Sequence, residues 1–336
     1  MNEIEKSFKK LMTKIGAAML IFLGAFTVAG VLIEMFGMLV YGLFRDPTAT
    51  VAYNVIYAIL YALPFAGAAI FLFATTKKDS VPPVKKLAMP IETPIYIIVA
   101  IAITTTLAYL NQYFVAVFNY SEFTDQMFFT EEYSEGYRIA LQFLTTAIIP
   151  GIFEELLFRG AVLTRLRPYG KSVAIIISAV LFGLMHQNAG QFLYATAAGI
   201  ILGWITVQTG SLTCAMLCHF LNNAWAVTQQ VIFAKCPTYT ASVIVSIAET
   251  AILILGLIGA AVLIVRYYKN RRTNDFSRGM FGRSLEFERE LPAEISPSRA
   301  AKLFWSPTII VFVALAAALA ALLLFVSMVY SFIGLV

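Results

Sequence analysis

Histidine is almost missing from this sequence: His186 and His219 are the only two in 336 residues. Charge is scarce too, at 13% of residues against 60% hydrophobic, with a mean hydropathy of +0.81. Soluble domains carry about 25% charged residues, so this balance excludes an ordinary soluble fold and puts the chain in the membrane class. Cysteine is equally sparse. Cys214 and Cys218 lie one helical turn apart in an apolar stretch and Cys236 stands apart, which excludes a disulfide framework and leaves small core side chains as their expected role. No internal repeat or low-complexity tract is evident.

What is present is a series of long apolar runs. They fall near residues 15–43, 51–75, 95–118, 139–163, 173–186, 191–209, 212–234, 242–267 and 305–333, most of them near the 20 residues or so that carry a helix across a hydrocarbon core. The expectation is an all-α, polytopic transmembrane helix bundle of about nine helices, with 173–186 short for a full crossing. Pro64 and Pro150 interrupt such runs and predict kinks. The basic residues sort into alternate loops, led by Lys6 to Lys14, Lys77 to Lys86, Arg165 to Lys171 and Arg266 to Lys302. Short cytoplasmic loops are enriched in Lys and Arg, so the N-terminus is expected in the cytoplasm and the C-terminus outside. The net charge of +5 then follows from topology and anionic inner-leaflet lipid, and no nucleic-acid partner is expected. The first apolar run is too long for a signal-peptide core and reads as a retained helix.

Four regions are expected: N-terminal helices and a basic loop over 1–94, a helix and an acidic external loop over 95–138, a core over 139–234, and C-terminal helices joined by a basic cytoplasmic linker over 235–336. The acidic loop carries Glu122, Asp125, Glu131, Glu132 and Glu135. Residues 269–303 mix Arg, Glu, Pro and Ser and read as a flexible linker.

Ionisable side chains at membrane depth cost roughly 2–3 kcal/mol or more and mark function by default. The core holds a concentration of them. Glu155 and Arg159 are spaced i, i+4 with the acid first, the favoured order for a helical ion pair. Glu154, rotated by about 100°, faces elsewhere and is the reactive candidate. Phe182 and His186 are one turn apart, and so are His219 and Asn223. At 1.5 Å per residue, Glu154, His186 and His219 lie in one layer at depths of roughly 14–21 Å from the cytoplasmic face.

A paired-glutamate motif with arginine four residues after the second, then Phe-x-x-x-His, then His-x-x-x-Asn, resembles the intramembrane family of type II CAAX prenyl endopeptidases and bacteriocin-processing, Abi-like enzymes. Glu154, Glu155 and Arg159 match its first motif, Phe182 and His186 its second, His219 and Asn223 its third. The resemblance spans roughly 139–234 and implies an intramembrane endopeptidase acting on a peptide or protein substrate associated with membrane lipid, from lipidated CAAX-type tails to bacteriocin leaders. It points to an integral membrane protein of a bacterial cell membrane.

Such residues suit hydrolysis. Glu154 with His186 would activate a water, while His219 and Asn223 would hold the developing oxyanion, with no cofactor required. The alternative binds zinc through Glu154, His186 and His219, with an open position for water. Two other classes compete. Glu34 and Glu249 are further intramembrane acids that would suit a proton-coupled transporter, and a non-catalytic immunity or binding protein would keep the pocket without turnover.

Overall fold

The computed structural model describes residues 1–43, 47–76, 93–117, 136–272 and 295–332. These are helices joined by short turns, without a strand among them, and the protein is an all-α transmembrane bundle. We label the helices α1 (Glu3–Leu43), α2 (Pro47–Thr75), α3 (Thr93–Val117), α4 (Gly136–Tyr169), α5 (Lys171–Met185), α6 (Ala189–Thr209), α7 (Leu212–Lys235), α8 (Thr238–Arg272), α9 (Pro297–Phe304) and α10 (Pro307–Phe332). The acidic stretch around Glu122 to Glu135 lies outside the described residues.

Among the described residues, six helices are long and apolar enough to span a bilayer, or seven if the pair α9 and α10, bent by 74°, forms one span. The sequence expectation of about nine counted α5 and α7 as well. α5 is only 15 residues long, about 22 Å at 1.5 Å per residue. α7 is diluted by His219, Asn222, Asn223, Gln229 and Gln230. The two helices that fail the test of length and apolarity are therefore those that bring both histidines.

One apolar cluster joins α1, α2, α4, α5 and α10 through Phe8, Met12, Phe22, Phe65, Leu157, Phe158, Leu181 and Phe312, all fully buried. A second ties α3 to α6 and α7 through Tyr96, Leu202, Ile205, Cys214 and Cys218, with Tyr96 and Trp204 edge to face at 5.4 Å. Cys214 and Cys218 are thus buried packing side chains. Ile247, Leu257 and Val265 of α8 remain exposed, the apolar surface that lipid covers in a bilayer.

Part of the expected linker is ordered. Ser296 caps α9 by accepting from the Arg299 amide, Pro297 occupies the first turn, and Ala300 and Leu303 are buried. Ile295 donates its amide to the Tyr169 carbonyl, and Arg299 makes a forked pair with Glu5 at 2.6 and 3.0 Å. An eight-residue helix shows too few turns for periodicity to register, although Ser296-Pro297 is a helix-start signal.

Candidate active site

α4 is one helical run wound in two ways. Its turns widen to π geometry over Phe143–Ile148 and Leu156–Leu163, either side of the α-helical Ile149–Glu155. Pro150 contributes to this, because it has no amide to give the Thr146 carbonyl four residues before it. Wide turns of this kind frequently sit at functional sites. Here they flank the two adjacent glutamates. Gly151 lets α7 approach closely: a Cβ there would meet the Phe220 amide nitrogen at 3.1 Å. His219, the residue before Phe220, is thereby drawn against α4.

The turns around α5, α6 and α7 are short and locally specified. His186 caps the C-terminus of α5, Gln187 takes a left-handed φ of 52°, and Asn188 caps α6 by accepting from the Gly190 and Gln191 amides at 2.8 and 3.3 Å. Gly210, at φ 62°, and Ser211 make the equivalent join to α7. Gly183 and Gly199 give α5 and α6 their close crossing, since a Cβ at Gly199 would lie 3.0 Å from the Ala179 Cα.

Glu155 and Arg159 are both fully buried, and the guanidinium donates to Glu155 Oε1 at 2.7 Å and to the Gly199 carbonyl at 3.1 Å. It also lies 4.6 Å from the Phe182 ring centroid. His219 Nδ1 meets the same Glu155 oxygen at 2.8 Å. A carboxylate accepts, so Nδ1 carries the proton and Nε2 is the nitrogen left for other work. Glu155 is therefore a brace for His219 as well as a partner for Arg159, a link between helices that spacing along one helix does not reveal.

Glu154 stands 3.9 Å from His219 Nε2 through Oε2, and its Oε1 accepts from the Tyr61 hydroxyl at 2.5 Å. His186 Nδ1 donates to the Phe182 carbonyl at 2.9 Å, and Phe182 lies edge-on to both imidazoles, with centroids at 5.0 and 6.0 Å. Asn223 donates through Nδ2 to the Thr146 carbonyl at 3.0 Å and accepts from Asn222 at 3.3 Å. Glu154, His186, His219 and Asn223 all line one cavity of about 630 Å³, with Tyr57, Tyr61, Tyr194 and Asn222. Glu155 and Arg159 stand behind its wall.

Sequence reasoning missed Tyr61, Asn222 and Tyr194. Tyr53, Tyr57 and Tyr61 recur every four residues on α2 and all three line the cavity, so a tyrosine stripe at helical spacing was the available signal. Asn222 donates to the Tyr194 hydroxyl at 3.1 Å, a pairing across helices that no local spacing announces.

The zinc alternative asks for three convergent donors. Among the described residues, no group of three or more His, Cys, Asp or Glu side chains has a metal-holding arrangement. One atom of each proposed ligand is also committed: Glu154 Oε1 to Tyr61, His186 Nδ1 to the Phe182 carbonyl and His219 Nδ1 to Glu155. No step is assigned to a metal on this geometry.

No curated protein and no solved structure matches the chain. Residues 137–225, which contain Glu154, Glu155, Arg159, both histidines and Asn223, match the family described as type II CAAX prenyl endopeptidase Rce1-like.

Proposed function

We propose that the protein hydrolyses a peptide bond in a membrane-associated peptide or protein by activating a water between Glu154 and His186. The observation that carries this reading is the convergence of Glu154, His186, His219 and Asn223 on one cavity, together with the family match over the segment that holds them. The carbonyl of Phe182 can only accept, so the neutral His186 ring keeps its proton on Nδ1 and offers the Nε2 lone pair as a base. Water gives a proton to the Glu154 and His186 pair as its oxygen bonds to the scissile carbonyl carbon. The C–N bond then breaks, and the same proton passes to the leaving amine, giving a carboxylic acid and an amine.

The tetrahedral oxyanion calls for preorganised donors. Asn223 has a second Nδ2 hydrogen beyond the one on Thr146. His219, with Nδ1 held by the Glu155 carboxylate, supplies Nε2 when doubly protonated. A lipid-anchored substrate fits this placement, because an apolar tail stays in hydrocarbon while its peptide enters the cavity.

The transporter reading draws no support from the acids that motivated it. Glu34 is exposed on α1. Glu249 is buried, bonded to the Tyr109 hydroxyl and to Gln229 at 2.6 Å. Neither is among the lining residues of the cavity.

The test is cleavage by the purified protein of a farnesylated CAAX-type peptide and its unlipidated counterpart, with Glu154→Gln alongside and a chelator arm followed by zinc. Cleavage by wild type alone, unaffected by chelator, is the expected result. Full activity of Glu154→Gln removes the proposed base, and loss on chelation restored by zinc replaces the mechanism with a metal one.

A further inference from the structure

Tyr61 belongs to α2, outside the matched residues 137–225, yet its hydroxyl donates a direct hydrogen bond to Glu154, 2.5 Å from Oε1. Its ring is held on several sides. Tyr57 stacks on it with centroids 5.9 Å apart and planes 19° apart, Phe65 lies at 5.2 Å, and Phe26 meets it edge-on at 5.8 Å. A ring packed between three others has little freedom to swing its hydroxyl away.

A glutamate's last torsion is broad and roughly two-fold, so an untethered carboxylate presents either oxygen to a neighbour. A phenol has one proton to give. Spent on Oε1, it fixes the carboxylate plane and distinguishes the two oxygens. Oε2 is then left without a direct hydrogen bond from His219, whose Nε2 lies 3.9 Å away, and is the oxygen free to meet a water.

We propose that Tyr61 is a positioning residue for Glu154, whose hydroxyl occupies Oε1 and so makes Oε2 the atom that takes the proton from the attacking water. This rests on the reading of Glu154 as the base. In the step concerned, one O–H bond of water breaks, its proton goes to Oε2 and its oxygen bonds to the carbonyl carbon, while Tyr61 keeps its own proton throughout. Supporting groups of this kind hold reactive ones to the fraction of an ångström that turnover requires.

The experiment compares full-length wild type, Tyr61→Phe, Glu154→Gln and the double variant on the peptide that wild type cleaves. Tyr61→Phe keeps the ring packing and removes only the donor. The expected result is a fall in kcat of roughly 10- to 100-fold with KM within about two-fold, and no further loss when Tyr61→Phe is added to Glu154→Gln. Isotope-edited infrared spectra should also show a carboxylate band that moves in Tyr61→Phe but not when Glu154→Gln is already present. An unchanged kcat, a loss confined to KM, or an unmoved band overturns the proposal. If Tyr61→Phe is innocuous while Glu154→Gln is inactive, positioning fails and the base stands; if Glu154→Gln is fully active, the base itself fails and the positioning role with it. Should Tyr61→Phe not fold, ring-fluorinated tyrosine at position 61 preserves the shape. Turnover must then follow the donor strength of the hydroxyl, and indifference to it overturns the proposal equally.

Discussion

Asn223 stands in for the amide that Pro150 lacks: its Nδ2 donates at 3.0 Å to the Thr146 carbonyl, the group an α-helical residue 150 would have bonded. The same side chain is proposed to face the oxyanion, so structural and chemical roles meet in one carboxamide. Asn223→Ala should lower kcat by roughly 10²- to 10³-fold and destabilise by about 1–3 kcal/mol through the unmatched carbonyl. Adding Pro150→Ala returns a backbone donor. Thermal unfolding of the double variant in detergent should recover toward wild type, while peptide cleavage should not.

Glu155 and Arg159 form a fully buried pair that also orders His219. Removing one partner leaves the other charged and unmatched, so Arg159→Met should cost about 3–5 kcal/mol, measured by thermal or denaturant unfolding. Replacing both, as Glu155→Leu with Arg159→Met, should return much of that stability because apolar packing often substitutes for a buried ion pair. Turnover should stay at least about 10²-fold down, since His219 has lost the acceptor that fixes its tautomer. Recovery of activity in the double variant would show that Glu155 serves the fold alone.

Gly151 sets the distance between α4 and α7. A valine there must push against the Phe220 backbone, and overpacking of this kind costs about 1–3 kcal/mol. Because His219 precedes Phe220, cleavage should fall more steeply than the melting temperature in Gly151→Val, with Gly151→Ala between it and wild type.

Gln187 is held at φ 52° beside His186. A β-branched residue disfavours that conformation, so Gln187→Val should cost about 1–2 kcal/mol, while Gln187→Gly, free of that penalty, should unfold close to wild type. Both are read by circular dichroism melts. Equal stability of the two would mean that the turn can relax without strain.

The membrane class, the helical architecture and the Glu155–Arg159 pair were legible in the sequence because each depends on composition or on spacing within one helix. The His186–Phe182 contact was legible for the same reason. What spacing cannot give is the partner across helices. Glu155 reaching His219, Tyr61 reaching Glu154 and Asn223 reaching Thr146 each depend on how α2, α4 and α7 cross. The spacing of apolar runs marks α5 and α7 as helices, while among the described residues the shortness of α5 and the amides and imidazole of α7 keep both below the length and apolarity of a full span. α9 escaped notice because it is stabilised by a cap and by contacts with α1 and α4 rather than by a periodic apolar face of its own.

The widened turns of α4 uncouple its length from its register. A π stretch takes up an extra residue over turns that a plain α-helix would complete with one fewer. Excising a single residue from Phe143–Ile148 would let that stretch tighten toward α geometry while the residues after it keep roughly their present facing. The α-helical Ile149–Glu155 has no such slack, and losing one residue ahead of Glu154 there would rotate Glu154 by about 100° off Tyr61 and His219 with no side chain having been exchanged. A length-scanning library should therefore tolerate single deletions in the wide stretch far better than in the α-helical one.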